Sequence, residues 1–128
     1  MSNIKNKNFC HLHLHTHKGS LLDGLGKSEE YAKRAKEMNF QYLALTDHSS
    51  VDEAINFQEQ CLKNGITPVI GVELYVTSYD DFKGKSGHCC VYAKNEVGWR
   101  NILQMLSIAN LKHFDAKLIS FETLNNIS

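Results

Sequence analysis

Short apolar runs alternate with amphipathic stretches along this chain. Runs rich in apolar and β-branched residues predict four strands, at about residues 8–15, 41–46, 69–76 and 88–93. Between them, apolar residues three and four positions apart predict helices. Ser28, Ser50 and Asn95 stand where these helices are expected to begin, and each is a residue type that caps a helix well. Ser50 and Glu53 are also spaced as a capping box.

The spacing also predicts which helix residues face the core. These inner faces are Tyr31, Ala35 and Met38 in the first helix, Ala54, Ile55, Gln58, Cys61 and Leu62 in the second, and Trp99, Ile102, Leu103, Leu106 and Ala109 in the third. Gly65 is expected to end the second helix. A tail at about residues 120–124 is predicted to form one more helical turn.

The predicted order β-α-β-α-β-β-α is typical of an α/β fold with mostly parallel strands. The third and fourth strands differ from the others. Only about ten residues without a helical pattern separate them, and a parallel crossover needs about a dozen or more. We therefore expect these two strands to form an antiparallel ribbon.

Length and charge limit the classes of function. A chain of 128 residues is expected to form one domain, since domains usually have roughly 100–200 residues. Fourteen Lys and Arg balance fourteen Asp and Glu, which argues against a protein that coats nucleic acid or an anionic membrane. Residues 1–8 form a polar leader without the apolar core of a signal peptide. A cytoplasmic protein with no membrane partner is expected.

The cysteine pattern says less about function than length and charge do. Cys10, Cys61, Cys89 and Cys90 form no Cys-x-x-Cys pair, and reduced thiols are expected. Cys89 or Cys90 as a metal ligand is the alternative.

Histidines are the unusual feature, because four of the seven lie within seven residues. In α/β folds, functional residues collect at the carboxyl ends of the parallel strands. An antiparallel ribbon brings the start of the fourth strand to the same rim. Six potential ligands are therefore expected to converge there: His13, His15, Asp23, His48, Glu73 and His88.

Imidazoles and carboxylates together suit zinc, manganese or iron. Two or three such ions can activate water and stabilise a phosphoryl displacement. Glu73 lies in an apolar strand, where a buried carboxylate needs a charge partner or a metal. Glu73 and His48 are the candidate catalytic residues. The sequence contains no Gly-rich phosphate loop, Gly-x-Ser-x-Gly elbow or Cys/His nucleophile pattern.

Structural interpretations of the same residues stay open. Alternate histidines also occur on solvated strand faces, Asp47-His48 is compatible with a turn cap, and Asp23-Gly24 is compatible with an ordinary turn. His11 is expected to support the site or the core, whereas His17 and His113 are expected to be exposed. The apolar residues at 12–14 and 43–45 are expected in the core.

Four segments carry a family resemblance. They are FCHLHLHTHKGSLLDG at 9–24, LALTDH at 43–48, IGVELY at 70–75 and AKNE at 93–96, with His88 between the last two. In this order and spacing, the chain resembles the PHP (polymerase and histidinol phosphatase) domain. It is more similar to the branch at the N-terminus of bacterial DNA polymerase III alpha subunits than to the phosphatase branch. The resemblance runs from about Phe9 to about Leu124.

This resemblance implies a distorted (β/α)7 barrel with up to three divalent metals at its carboxyl rim. It places the first His-x-His motif on His13 and His15, and the bridging carboxylate on Glu73. The loop acidic ligand and the two further histidines fall on Asp23, His48 and His88. Some family members hydrolyse phosphoester bonds, including 3′–5′ removal of nucleotides, and others serve as structural support for the polymerase.

The family also supplies another histidine and a late Asp-x-His motif, and neither follows His88 in matching context. We therefore expect residues 1–128 to be the first half of the barrel, as a split gene product, a truncated copy or an N-terminal fragment. Alone, it is expected to bind metal with little or no nuclease activity. A polymerase, a polypeptide carrying the second half, a second copy of this chain, or a DNA 3′ end is the expected partner.

Three functions are compatible with these residues. The first is a metal-dependent phosphoesterase module of a replicative polymerase, with 3′–5′ exonuclease chemistry. The second is a non-catalytic interaction module. The third is a small-molecule phosphatase of the histidinol-phosphate type, which the polymerase-branch motifs disfavour.

Overall fold

A computed structural model describes residues 9–78, 86–112 and 117–127. The predicted polar leader at 1–8, most of the predicted loop between the third and fourth strands, and His113 lie outside the described residues. No helix in the described part of the chain is long and apolar enough to cross a membrane.

Strands and helices alternate as the sequence predicts. The strands are β1 (Cys10–His11), β2 (Tyr42–Leu45), β3 (Thr67–Thr77), β4 (Ser86–Tyr92) and β5 (Leu118–Ser120). The helices are α1 (Ser28–Glu37), α2 (Ala54–Lys63), α3 (Glu96–Lys112) and α4 (Phe121–Ile127). The predicted helical tail is confirmed by α4, but β5 in front of it was not predicted.

The first strand is shorter than predicted because side-chain contacts replace part of its ladder. Only Cys10 and His11 pair with β2 as strand residues. Farther along, the Leu14 carbonyl accepts a hydrogen bond from the Thr46 amide at 2.9 Å, and the Leu14 amide donates to Thr46 Oγ1 at 2.9 Å. The segment therefore still follows the edge of β2 to the end of the sheet.

The described strands form one curled, half-barrel sheet. β1, β2 and β3 are parallel neighbours, while β4 runs antiparallel to β3. β5 pairs in parallel with the last residues of β3, Tyr75 to Thr77. The predicted α/β class with one antiparallel ribbon is confirmed. β5 was missed because three residues are too few for a periodic pattern, and its pairing with β3 defines it.

Two apolar clusters attach the helices to this sheet. One lies between α1, α2 and β2, and the other between α3 and the residues Val72, Leu74 and Val76 of β3. Ala54, Phe57 and Cys61 form the buried stripe of α2. The prediction was wrong for Ile55, Gln58 and Leu62, which are exposed, and it omitted Phe57. It was also wrong for Met38 in the first helix and Leu103 in the third, which are exposed.

Helix starts differ from the predicted caps for a specific reason. Ser28 is the first residue of α1, and its hydroxyl donates to Glu53 Oε2 at 2.6 Å. Because Glu53 accepts this hydrogen bond and so connects the start of α2 to α1, it forms no capping box with Ser50. The caps at Asn95, which accepts from the Gly98 amide at 2.9 Å, and at Gly65, with φ of 74°, are confirmed.

Candidate metal centre

His13 and His15 reach the site because the chain beyond β1 stays extended. Successive side chains of an extended segment point to opposite sides, so the two histidines share a face while Leu14 between them is buried in the core. The Nε2 atoms of the two histidines lie 3.0 Å apart.

Glu73 lies at the centre of the histidine cluster. It occupies the middle of β3, and the side chain is only 3% exposed. Its Oε2 lies 2.9 Å from His13 Nε2 and 3.1 Å from His15 Nε2. These three atoms form a first group of potential ligands on one side of the carboxylate.

A second group uses the same carboxylate. His88 Nδ1 lies 2.7 Å from Glu73 Oε1, and His48 Nδ1 lies 3.3 Å from Oε2. The antiparallel register, which pairs His88 with Tyr75, brings His88 to this rim. His48 arrives because it is the parallel backbone neighbour of Glu73. The shared carboxylate therefore stands between two groups, His13–His15–Glu73 and His48–Glu73–His88.

Asp23 contacts the cluster from the outside, through His48. Its Oδ2 lies 2.7 Å from His48 Nε2, and it belongs to neither of the two groups. The loop carrying Asp23 is held close to the strand ends, because the Gly24 amide donates to the Ser20 carbonyl at 2.7 Å. A Cβ atom on Gly24 would lie 2.0 Å from the Thr16 carbonyl oxygen, so this approach requires glycine.

At Glu73 and His15, the electrostatics favour the protonation states that bind metals. Burial raises the pKa of Glu73, but hydrogen bonds from His13 and His88 outweigh it, and the pKa lies below its ordinary value. Burial and then the charge of His48 lower the pKa of His15. A carboxylate and a neutral imidazole are the protonation states required for coordination.

Tyr75 is a site residue that the sequence reasoning missed. Its ring stacks on His48 at 5.5 Å between centroids and meets His88 edge-on at 4.7 Å. Its hydroxyl lies 3.3 Å from His48 Nδ1. Burial, followed by the charges of Glu73 and Asp23, raises the pKa of Tyr75. Alternation along β3 was the available signal, since Tyr75 stands two positions after Glu73.

Several residues outside the six differ from expectation. His11 and Leu12 are exposed and not in the core. His17 is half-buried rather than exposed. The four cysteines form no disulfide, and neither Cys89 nor Cys90 belongs to a potential ligand group among the described residues.

The spacing of the donor atoms tests whether a metal fits. The first group forms a triangle with sides of 2.9, 3.0 and 3.1 Å. Neighbouring ligands about 2.1 Å from an octahedral ion are about 3.0 Å apart, and those of a tetrahedral ion are about 3.4 Å apart. Imidazole nitrogens and a carboxylate oxygen at this spacing fit a divalent transition metal.

The α/β half-barrel and its rim of histidines match a known family. A family model for the PHP domain matches residues 11–128. The chain belongs to the PHP domain family.

Two relatives of this chain are the same subunit from different bacteria. DNA polymerase III subunit alpha of Helicobacter pylori (strain ATCC 700392 / 26695) is 41% identical over 114 residues, which cover 86% of this chain and 9% of the relative. The same subunit of Campylobacter jejuni is 41% identical over 108 residues, or 81% of this chain and 9% of the relative. The chain thus spans about a tenth of the length of these relatives.

Solved structures share the fold. A protein assigned as a metal-dependent phosphoesterase, from Bifidobacterium adolescentis, superposes with a TM-score of 0.56 at 19% identity, over 82% of this chain and 35% of that one. An amidohydrolase from Chromobacterium violaceum gives a TM-score of 0.56 at 21% identity, over 79% and 34%. At these identities, the likeness concerns the fold.

Proposed function

We propose that this chain is a metal-binding PHP module of a bacterial-type replicative DNA polymerase, and that its site serves phosphoester hydrolysis at DNA 3′ ends. The observation that carries the proposal is the shared position of Glu73 between two histidine groups. Two ions bridged by one carboxylate are a recurring arrangement for phosphoryl displacement. The polymerase context comes from the relatives, which are all polymerase alpha subunits in the comparison above.

The residues have distinct roles in this proposal. His13, His15 and Glu73 hold one zinc, manganese or iron ion, and His48, Glu73 and His88 hold a second. Asp23 either completes the second set of ligands or orients His48 by accepting from its Nε2. When bound, such ions supply Lewis acidity toward water and the phosphoryl oxygens.

A cavity beside the cluster is suited to the substrate. It has a volume of about 470 Å³ and is lined by His48 and Tyr75 on the metal side. Lys117 and Lys18, which also pairs with Glu53 at 3.4 Å, line it and offer ammonium groups to an anionic phosphate. The carboxylates of Asp23 and Asp52 line it as well. Leu21 and Leu22 add exposed apolar surface at the same cavity, which can contact a base or sugar.

Metal content is the first test. His13→Ala/His15→Ala is expected to lose most of the bound transition metal, because it removes two of the three donors in the first group. His11→Ala is the matched control, since His11 lies on the same segment but is exposed and outside both groups. Elemental analysis of the three proteins measures the result. Equal, near-zero metal in wild type and double variant would overturn the metal site.

Hydrolysis is the second test. No Asp-x-His motif lies between His88 and Ser128, and we propose that the rest of the barrel supplies further ligands, either in the same polypeptide or from a partner. The chain alone is expected to release little from 3′-labelled single-stranded DNA with added manganese or zinc. Activity should rise when the polymerase partner is supplied, and should vanish in Glu73→Ala. Robust cleavage by the monomeric chain would show that the partner is unnecessary.

A non-catalytic interaction module is the second candidate. Leu21, Leu22 and Leu25 are almost fully exposed on the loop that carries Asp23, which favours a protein contact at this rim. Metal binding without hydrolysis, even with the partner present, is the result expected for this candidate.

A further inference from the structure

A buried carboxylate lies directly beneath the histidine cluster. Asp47 is completely buried, and it is not part of either potential ligand group. Its Oδ1 accepts from the Thr16 amide at 2.6 Å and from the Ser20 hydroxyl at 2.9 Å. Its Oδ2 accepts from the Thr16 hydroxyl at 2.7 Å. No Lys or Arg pairs with it among the described ion pairs, so these donors satisfy the carboxylate.

The Ser20 hydroxyl connects this carboxylate to the site. Besides Asp47, its Oγ has two neighbours: the His48 amide at 3.0 Å and His15 Nδ1 at 3.1 Å. A serine hydroxyl has one proton to donate and two lone pairs that accept. The Asp47 carboxylate can only accept, so the single Ser20 proton goes to Asp47.

The remaining contacts then follow from counting protons. The His48 amide can only donate, and it takes one lone pair of Ser20. The other lone pair is left for His15, whose Nδ1 must therefore carry the proton. A neutral imidazole has one N–H, so the Nε2 of His15 is unprotonated.

This assignment points the free lone pair of His15 at the first ligand group. His15 Nε2 lies 3.1 Å from Glu73 Oε2 and 3.0 Å from His13 Nε2. In the metal-free chain, His13 Nε2–H is the available donor, 2.9 Å from Glu73 and 3.0 Å from His15. His15 is thus held ready for a metal, with no proton to displace.

The loop backbone is built around the same carboxylate. A Cβ atom on Gly19 would lie 2.0 Å from Asp47 Oδ2, and the Gly19 amide donates to Thr16 Oγ1 at 3.1 Å. This donation occupies a lone pair of Thr16 and leaves its proton for Asp47. Gly19 therefore lets the loop close over Asp47 and bring Ser20 to His15.

We propose that Asp47, acting through Ser20, sets the tautomer and the ring orientation of His15, so that both are positioning residues of the metal site. The inference rests on the proposed metal site and extends it to two residues that touch no ion. Groups that hold the second ring nitrogen of a ligating histidine typically change metal affinity by about 10–100-fold when they are lost.

The tautomer is tested without metal, by long-range ¹H–¹⁵N correlation spectra of the histidine rings at pH 7.5 in a chelator. Wild-type His15 is expected to be protonated at Nδ1. Ser20→Ala removes the acceptor, and the proton is expected to move to Nε2, where Glu73 accepts it. In Asp47→Ala, Ser20 loses the acceptor of its proton, so its hydroxyl turns to His15 Nδ1 and gives the same reversal. Thr16→Ser is the control, because it keeps every donor to Asp47.

Metal affinity is measured on the same four proteins by competition with a chromophoric chelator for zinc and manganese. Ser20→Ala and Asp47→Ala are expected to bind about 10–100-fold more weakly, and Thr16→Ser as wild type. Ser20→Ala keeps both Thr16 contacts to Asp47, so it gives a result even if Asp47→Ala fails to fold. An Nε2-protonated His15 in wild type, or an unchanged tautomer and affinity in Ser20→Ala, would overturn the inference. Wild type without metal affinity would instead overturn the proposed function and leave the tautomer result standing.

Discussion

At the scale of single residues, Glu73 shows how a charge is kept inside the sheet. An isolated carboxylate in an apolar strand is expensive to bury. Here four imidazole nitrogens lie within 3.3 Å of its two oxygens, so the carboxylate has polar partners on both sides. Hydrogen bonds from His13 and His88 and the charge of His48 keep it ionised, and an ionised carboxylate is what a metal ion requires.

The acid stability of the metal-free chain should depend on Glu73. Its pKa is lower in the folded chain than its ordinary value of 4.5. Ionised Glu73 therefore stabilises the fold above about pH 4.5, and this contribution is lost as the pH falls through the folded pKa. Urea unfolding between pH 7 and pH 3, in a chelator, should show a steeper acid decline for wild type than for Glu73→Gln. Glu59→Gln, an exposed change on α2, should keep the wild-type slope. Parallel curves for wild type and Glu73→Gln would contradict this prediction.

At the scale of the elements, contacts between neighbouring segments override local capping preferences. The α2 start illustrates this, because Glu53 accepts from Ser28 at 2.6 Å and from Asn56 at 2.8 Å instead of folding back on Ser50. Lys18 lies 3.4 Å from the other oxygen of Glu53. One buried carboxylate thus joins α1, α2 and the loop that leads to the metal site.

The end of α2 allows a matched test of backbone strain. Gly65 has φ of 74°, with nothing within 4 Å of where a Cβ would stand. Gly65→Ala is therefore expected to destabilise the chain by about 1 kcal/mol through the backbone alone. Gly87→Ala, which is equally uncrowded but has no left-handed φ, should cause no loss. Urea unfolding of both variants measures the difference, and equal stabilities would refute the strain argument.

At the scale of the whole molecule, the half-barrel has unpaired strand edges and exposed apolar side chains, and protein surfaces of this kind are usually covered by another chain. Within the described residues, β1 pairs only with β2, and β4 pairs only with β3. Unpaired strand edges attract further strands. Leu21, Leu22 and Leu25 add nearly fully exposed apolar side chains at the rim.

Self-association of the purified chain is the expected consequence. Sedimentation at low micromolar concentration should show species larger than the 14.5 kDa monomer. Leu21→Ser/Leu22→Ser/Leu25→Ser should shift the distribution toward monomer, because burial of these side chains favours association. Ile55→Ser, an exposed apolar change on the outer surface of α2, is the control. A stable wild-type monomer would contradict the prediction.

Sequence alone was sufficient for the alternation of strands and helices, for the antiparallel ribbon and for the convergence of six polar residues on one rim. These features follow from local rules. Period-two and period-3.6 patterns define which residues face together, and the length of a connection limits whether two strands run parallel. The rim could be predicted because strand ends carry their side chains to one edge of a sheet.

Tertiary structure alone decided the finer arrangement. β5 exists because Leu118 to Ser120 meet the end of β3, far away in the sequence. The buried face of α2 contains Phe57, because packing against α1 and β2 determines which side of the helix is covered. Tyr75, Ser20 and Asp47 joined the site through contacts across 27 to 31 positions, of which Asp47 with Thr16 is the longest. Hydrogen bonds of this kind depend on distances between segments, and no local pattern of side chains encodes those distances.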